Sequence, residues 1–126
     1  MSIRGIRGAI TAPENSTSAI LQATRNLLTA IQQANPSLEP EDITSIFFTM
    51  TTDLDATYPA LAARQMGWVQ VPLLCAQEIP VPDSMPRCIR VLVHWNTELP
   101  QRDIQHVYLG EAARLRPDLA AVPLNA

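Results

Sequence analysis

Leu74-Cys75-Ala76-Gln77-Glu78-Ile79-Pro80-Val81-Pro82-Asp83-Ser84-Met85-Pro86-Arg87-Cys88-Ile89-Arg90-Val91-Leu92-Val93-His94-Trp95 decides how the chain is read. Two apolar runs flank a loop that holds Pro80, Pro82 and Pro86. Paired as antiparallel strands across a turn near Asp83 and Ser84, they set opposite each other residues whose numbers sum to about 168, Glu78 and Arg90 among them. A carboxylate beside a guanidinium on a sheet has two readings. It is either a clamp for a small polar anion or a surface cross-strand pair worth ~0.2–1 kcal/mol.

The rest of the chain supplies a sheet and its cover. Residues 2–10 read as a first strand, in which Gly5 and Gly8 mark a bulge or a close approach. Arg4 and Arg7 lie three apart, so they face opposite ways, one toward a site and the other toward solvent. Asn15, Ser16 and Thr17 are capping residues, and Ile20, Leu21, Thr24, Leu27, Leu28 and Ile31 recur at helical spacing up to Asn35-Pro36. A short helical turn follows at 38–42, with Pro40 at its start. Residues 43–51 are β-branched and aromatic, so they form a second strand. Pro59 opens a second helix that stops at Gly67. Residues 68–74 read as a third strand and 88–95 as a fourth, with Arg90 on the face opposite Ile89, Val91, Val93 and Trp95. Residues 101–106 suggest a short helix, and Val107, Tyr108 and Leu109 either extend it or begin a strand. The expected fold is a mixed α/β layer with a four- or five-stranded sheet. Residues 1–126 make one domain, with 116–126 a flexible, irregular tail.

Composition narrows the function classes. A chain of 126 residues at 47% hydrophobic and 17% charged can build one core and is not a disordered segment. So many apolar residues over so small a sheet point to surface buried between copies of the chain. A net charge of -3 gives no basic footprint for nucleic acid. No apolar run has the ~18 residues of a membrane span, and no signal-peptide core follows Met1, so a cytoplasmic protein is expected. Cys75 and Cys88, with His94 and His106, show no metal-ligand spacing. A disulfide is compatible with the spacing but not with a reducing cytoplasm. All nine basic residues are arginines. Schiff-base, pyridoxal phosphate and P-loop lysine chemistry are thereby excluded, and an anionic substrate held by arginine forks is favoured.

Five segments then carry a family resemblance. They are Ile3-Arg4-Gly5-Ile6-Arg7-Gly8-Ala9, Cys75-Ala76-Gln77-Glu78, Cys88-Ile89-Arg90-Val91, His106-Val107-Tyr108-Leu109 and Leu115-Arg116-Pro117-Asp118-Leu119. In that order they resemble the monofunctional chorismate mutases of the AroH type, over nearly the whole chain. The resemblance implies conversion of chorismate to prephenate by a pericyclic rearrangement without cofactor, metal or covalent intermediate. It implies a homotrimer, a pseudo-α/β barrel, with active sites between adjacent subunits. It assigns Arg7, Cys75, Glu78, Arg90 and Tyr108 to one subunit's side of the cleft, and Tyr58, Ala60 and Arg64 to the neighbour's. Leu73, Leu74, Leu115 and Arg116 line or close the site in this pattern. Leu61 stands where the family often has lysine, Leu74 where threonine is usual and Tyr58 where phenylalanine is typical. The rival readings are a non-catalytic binder that kept the cleft, an arginine-based deaminase of the Rid type, and a pure interaction domain.

Overall fold

The computed structural model describes residues 2–117. Strand β1 (Ser2–Thr11) leads to helix α1 (Thr17–Ala34), strand β2 (Ile43–Met50), helix α2 (Ala60–Gln65), strand β3 (Leu73–Gln77), strand β4 (Cys88–Thr97) and the two-residue strand β5 (Val107–Tyr108). Short 3-10 turns occupy Pro40–Asp42, Gln101–Asp103 and Gly110–Arg114. The result is a mixed α/β layer with a five-stranded sheet in the order β3-β2-β4-β1-β5.

Local chemistry explains the elements. Ser16 is extended, and its hydroxyl accepts from the Ala19 N–H at the start of α1. The stripe of Ile20, Leu21, Leu27, Leu28 and Ile31 is buried against the sheet. Thr24 in that stripe donates its hydroxyl to the Ile20 carbonyl, so its burial leaves no orphan. The α1 end is tied down by Asn35, whose amide donates to the carbonyls of Ile31 and Gln105 and accepts from the Gln105 N–H. Helix α2 stops at Gly67, whose φ of 91° is open to glycine at little cost. At Gly8 the missing side chain lets α1 close on the sheet. A Cβ there would sit 2.9 Å from Val91 Cγ1 and 3.0 Å from Ile31 Cδ1.

The expected hairpin between residues 74–79 and 88–95 does not form. Strand β2 lies between the two runs, parallel to β3 and antiparallel to β4. The connection between them crosses the width of β2 instead of folding back. Its prolines cannot donate to a ladder, and Asp83 and Arg87 take positive φ values of 64° and 49° that interrupt an extended chain. Arg87 anchors the loop by donating Nε to the Ala12 carbonyl, while its own carbonyl accepts from the Ala12 N–H. Strand β3 also begins later than the expected 68–74. Pro72 has no N–H to pair, so the ladder starts at Leu73, and Trp68 and Val71 are buried outside the strand.

Only Gln101–Asp103 of the expected helix at 101–106 is helical, as a 3-10 turn. Val107 and Tyr108 form a strand parallel to β1, with Ala9 beside Tyr108. The 3-10 turn at Gly110–Arg114 was absent from the sequence-based expectation. The expected tail at 116–126 lies, from residue 118 onward, outside the described residues. No described helix is long and apolar enough to cross a membrane.

The two faces of the sheet differ. Ile6, Ile46, Phe48, Val91, Val93 and Trp95 point to the helix-covered side and form the core. Arg7, Phe47, Thr49, Arg90 and Leu92 alternate to the other side, which neither α1 nor α2 covers and where the 3-10 turn Gly110–Arg114 packs only on the Ala9 corner.

Candidate active site

The open face gathers the chemistry. Thr49 on β2 is the direct cross-strand neighbour of Arg90 on β4 and of Ala76 on β3. Two residues beyond Ala76, just past the end of β3, Glu78 is held to β2 by its N–H bond to the Met50 carbonyl. The three side chains stand in a row. Thr49 Oγ1 donates to Glu78 Oε2 at 2.6 Å, and Arg90 Nε lies 3.6 Å from the same oxygen. Glu78 and Arg90 are therefore neighbours, but through a third strand and not across a hairpin.

Arg90 borders two hollows. One, of about 320 Å³, is lined by Arg7, Phe47, Thr49, Leu92 and the edge of Tyr108 as well. The other, of about 730 Å³, lies under the proline loop and is lined by Thr11, Ser84, Arg114 and Leu115. Tyr108 is 7% exposed and packs with Ala9, Cys88 and Ala112 in a small second cluster, against which Leu115 leans. Of the residues that the resemblance assigns to one side of a cleft, Arg7, Arg90 and Tyr108 line the smaller hollow, and Glu78 stands beside Arg90. Arg4 instead turns to the other side and donates Nε to the Leu99 carbonyl.

Cys75 is not part of this group. It pairs with Phe48, shares its side of the sheet and packs against the main core. It lines a separate hollow of about 580 Å³ with Tyr58, Leu54 and Met50. Tyr58 is 68% exposed at that rim. Ala60 is buried in α2, and Arg64 is exposed on it. Leu73 is half-buried and Leu74 is 59% exposed on the open face, beside Phe47. Arg116 is half-buried and near His106. Within one chain, then, Tyr58, Arg64 and Cys75 do not reach the pocket of Arg7 and Arg90. Among the described residues no cluster of His, Cys, Asp and Glu could hold a metal ion.

Two titratable groups close to these arginines are shifted, the buried Cys88 and the half-buried His106. Burial pushes the Cys88 thiol up, against the lowering charge and hydrogen bond of Arg90. Both cysteines are free. Burial, and then the charges of Arg7 and Arg116, push His106 down. Its Nδ1 accepts the Arg7 N–H at 2.9 Å, which puts the proton of the neutral ring on Nε2.

A family model described as chorismate mutase type I matches residues 3–119. The chain belongs to the type I chorismate mutases. It is 56% identical to chorismate mutase AroH of Thermus thermophilus over 93% of this chain and 96% of that one. It is 44% identical to chorismate mutase AroH of Bacillus subtilis (strain 168) over 95% of this chain and 94% of that one. A solved chorismate mutase from Clostridium thermocellum aligns with a TM-score of 0.85 at 48% identity, covering 87% of this chain and 97% of that one.

For a type I chorismate mutase the most informative residue that sequence reading missed is Thr49. A threonine in a β-branched strand carries no chemical signature. Only the position of β2 between β3 and β4 gives it one.

His106 leads to a pH prediction. Its folded-state pKa lies below the unfolded value, so the unfolded chain takes up a proton first as pH falls. The stability this group provides is present above the unfolded value of about 6.5 and is lost as pH falls from there toward the folded value. His106→Asn keeps an acceptor for the Arg7 N–H without the titration. The urea midpoint is expected to drop less between about pH 7.5 and 5 in the variant than in the parent. An equal drop would remove His106 from the account.

Proposed function

We propose that the protein is a chorismate mutase that converts chorismate to prephenate, on the path to phenylalanine and tyrosine. Its relatives carry that name, and the chain covers nearly all of their length. The observation that carries the reading is the convergence of Arg7, Arg90 and Tyr108 on one pocket, with Glu78 beside Arg90.

Chorismate has two carboxylates, a hydroxyl and an enol ether. In the rearrangement one C–O bond breaks as one C–C bond forms within the same molecule. Neither nucleophile nor proton transfer is required. The catalyst holds a compact conformer with the reacting carbons close. It also stabilises the negative charge that grows on the ether oxygen. Arg90 serves that oxygen and an adjacent carboxylate. Arg7 binds a carboxylate, and Tyr108 donates to one. Glu78 accepts from the substrate hydroxyl. Cys75, on the opposite face in the Tyr58 hollow, takes part only where that hollow meets a neighbouring subunit's site. Leu115 bounds one side, and Arg116 draws the anion in or closes over it.

The working unit in this reading is a homotrimer with sites between adjacent subunits. Two features support it. The open sheet face exposes Ile3, Phe47, Leu74 and Leu92, and grouped exposed apolar side chains mark interaction surfaces. Tyr58, Ala60 and Arg64 also lie away from Arg90 within one chain, so they join the site only from a neighbour, while Leu73 and Leu74 line it, Leu74 beside Phe47. Leu61 and Leu74 make this cleft more apolar than the usual family pattern. The enzyme acts in the cytoplasm, takes chorismate as its small-molecule substrate and needs no cofactor, nucleic acid or membrane.

The test is to mix purified protein with chorismate and follow its loss and the appearance of prephenate, with the oligomer mass measured in parallel. Turnover by a species of three chains is expected. Binding of chorismate without turnover would favour a degenerate binder and overturn the enzyme reading.

A further inference from the structure

We infer that Thr49 is a positioning residue that holds the Glu78 carboxylate away from Arg90 and ready for a ligand hydroxyl. The inference rests on the function proposed above, and it specifies how one acceptor in that site is set.

Among the described residues, the Glu78 carboxylate makes its two contacts through Oε2: the Thr49 hydroxyl at 2.6 Å and the Arg90 Nε at 3.6 Å. The first is a short charge-assisted hydrogen bond. The second is longer than a hydrogen bond, although both partners are partly open to solvent and free to adjust. A glutamate and an arginine this near would ordinarily close into a fork. Something keeps them apart, and Thr49 is the group placed to do it. Its side chain is branched at Cβ and stiff. Its backbone is fixed on both sides, by Arg90 on β4 and Ala76 on β3. Glu78 has a fixed backbone too, through the Met50 carbonyl, but a longer side chain. The hydroxyl therefore pins the flexible partner, not the reverse.

Two consequences follow for a ligand. With Oε2 occupied, Oε1 faces the incoming hydroxyl as an acceptor. With Glu78 held at 3.6 Å, the guanidinium keeps its donors for a developing negative charge, which a closed ion pair would have neutralised.

The test is Thr49→Val, which removes the hydroxyl and keeps the shape, beside Thr49→Ser, which keeps the hydroxyl. Loss of a hydrogen bond to a charged group predicts a fall of about tenfold or more in kcat/KM for Thr49→Val, mostly in kcat. Thr49→Ser is expected to restore most of it. In a Glu78→Gln background, Thr49→Val is expected to change little further. A crystal structure of Thr49→Val provides a readout that needs no activity: Glu78 is expected to close on Arg90 to hydrogen-bond distance. An unmoved carboxylate, or equal losses in Val and Ser variants, would overturn the inference. If the parent protein itself fails to turn over chorismate, the proposed function falls, and the crystallographic comparison still decides the role of Thr49.

Discussion

Arg90→Ala is expected to lower kcat for chorismate by at least ~10²–10³-fold, the cost of losing one preorganised donor. The loss of a full cation from a site that stabilises an anion pushes the effect beyond that range. The geometry also says what will not change. The Arg90 side chain is 44% exposed and lies off the core, and its ion pair with Glu78 is partly solvated. Such a pair contributes only ~0–1 kcal/mol to folding. The backbone ladder to Ala9 and Thr49 survives the truncation. Thermal unfolding of the variant should therefore stay close to that of the parent while turnover collapses. Arg90→Lys should recover only part of the rate, because one ammonium cannot face an ether oxygen and a carboxylate with the spacing of a guanidinium fork. Near-normal turnover in the alanine variant would remove Arg90 from the chemistry.

Phe48→Ala should do the opposite. Phe48 is fully buried on the inner strand β2, one residue before Thr49 and on the other face. Truncating a buried phenylalanine costs ~3–5 kcal/mol through lost transfer energy and the cavity left behind. For a domain of this length that is a fall of roughly 10–20 °C in Tm. At temperatures where the variant is folded, Thr49, Glu78 and Arg90 keep their strands, so much of kcat should remain. A Tm within about 3 °C of the parent would contradict the packing described. Together the two variants separate the faces of one sheet: one carries rate, the other stability.

Much of this was legible in the sequence. The helical stripe from Ile20 to Ile31 and the alternation from Ile89 to Trp95 define their own elements, because burial repeats with the period of the backbone. The order of strands was not legible. Pairing is a long-range choice, and the proline loop looked like a hairpin because nothing local shows that β2 enters between its arms. Glu78 and Arg90 were matched correctly by an incorrect route. Strand β5 escaped a firm reading because its two residues depend on β1, not on their own pattern. Cys75 was grouped with Glu78 by resemblance, although positions three apart on a strand face opposite ways, the same rule that separated Arg4 from Arg7. The proposed assembly of copies has only an indirect trace in the sequence, an excess of apolar residues.

The insertion of β2 between β3 and β4 has a kinetic consequence. Glu78 and Arg90 are close in sequence, yet their meeting waits on a strand from much earlier in the chain. A collapsed intermediate in which the proline loop merely folds back on itself would pair the wrong edges and leave the carboxylate without its threonine. Such non-local closure slows folding, because chain entropy is lost before the contacts that repay it form. It also makes the site an indicator of completion: a chain able to present this row of side chains has already set β2 between β3 and β4.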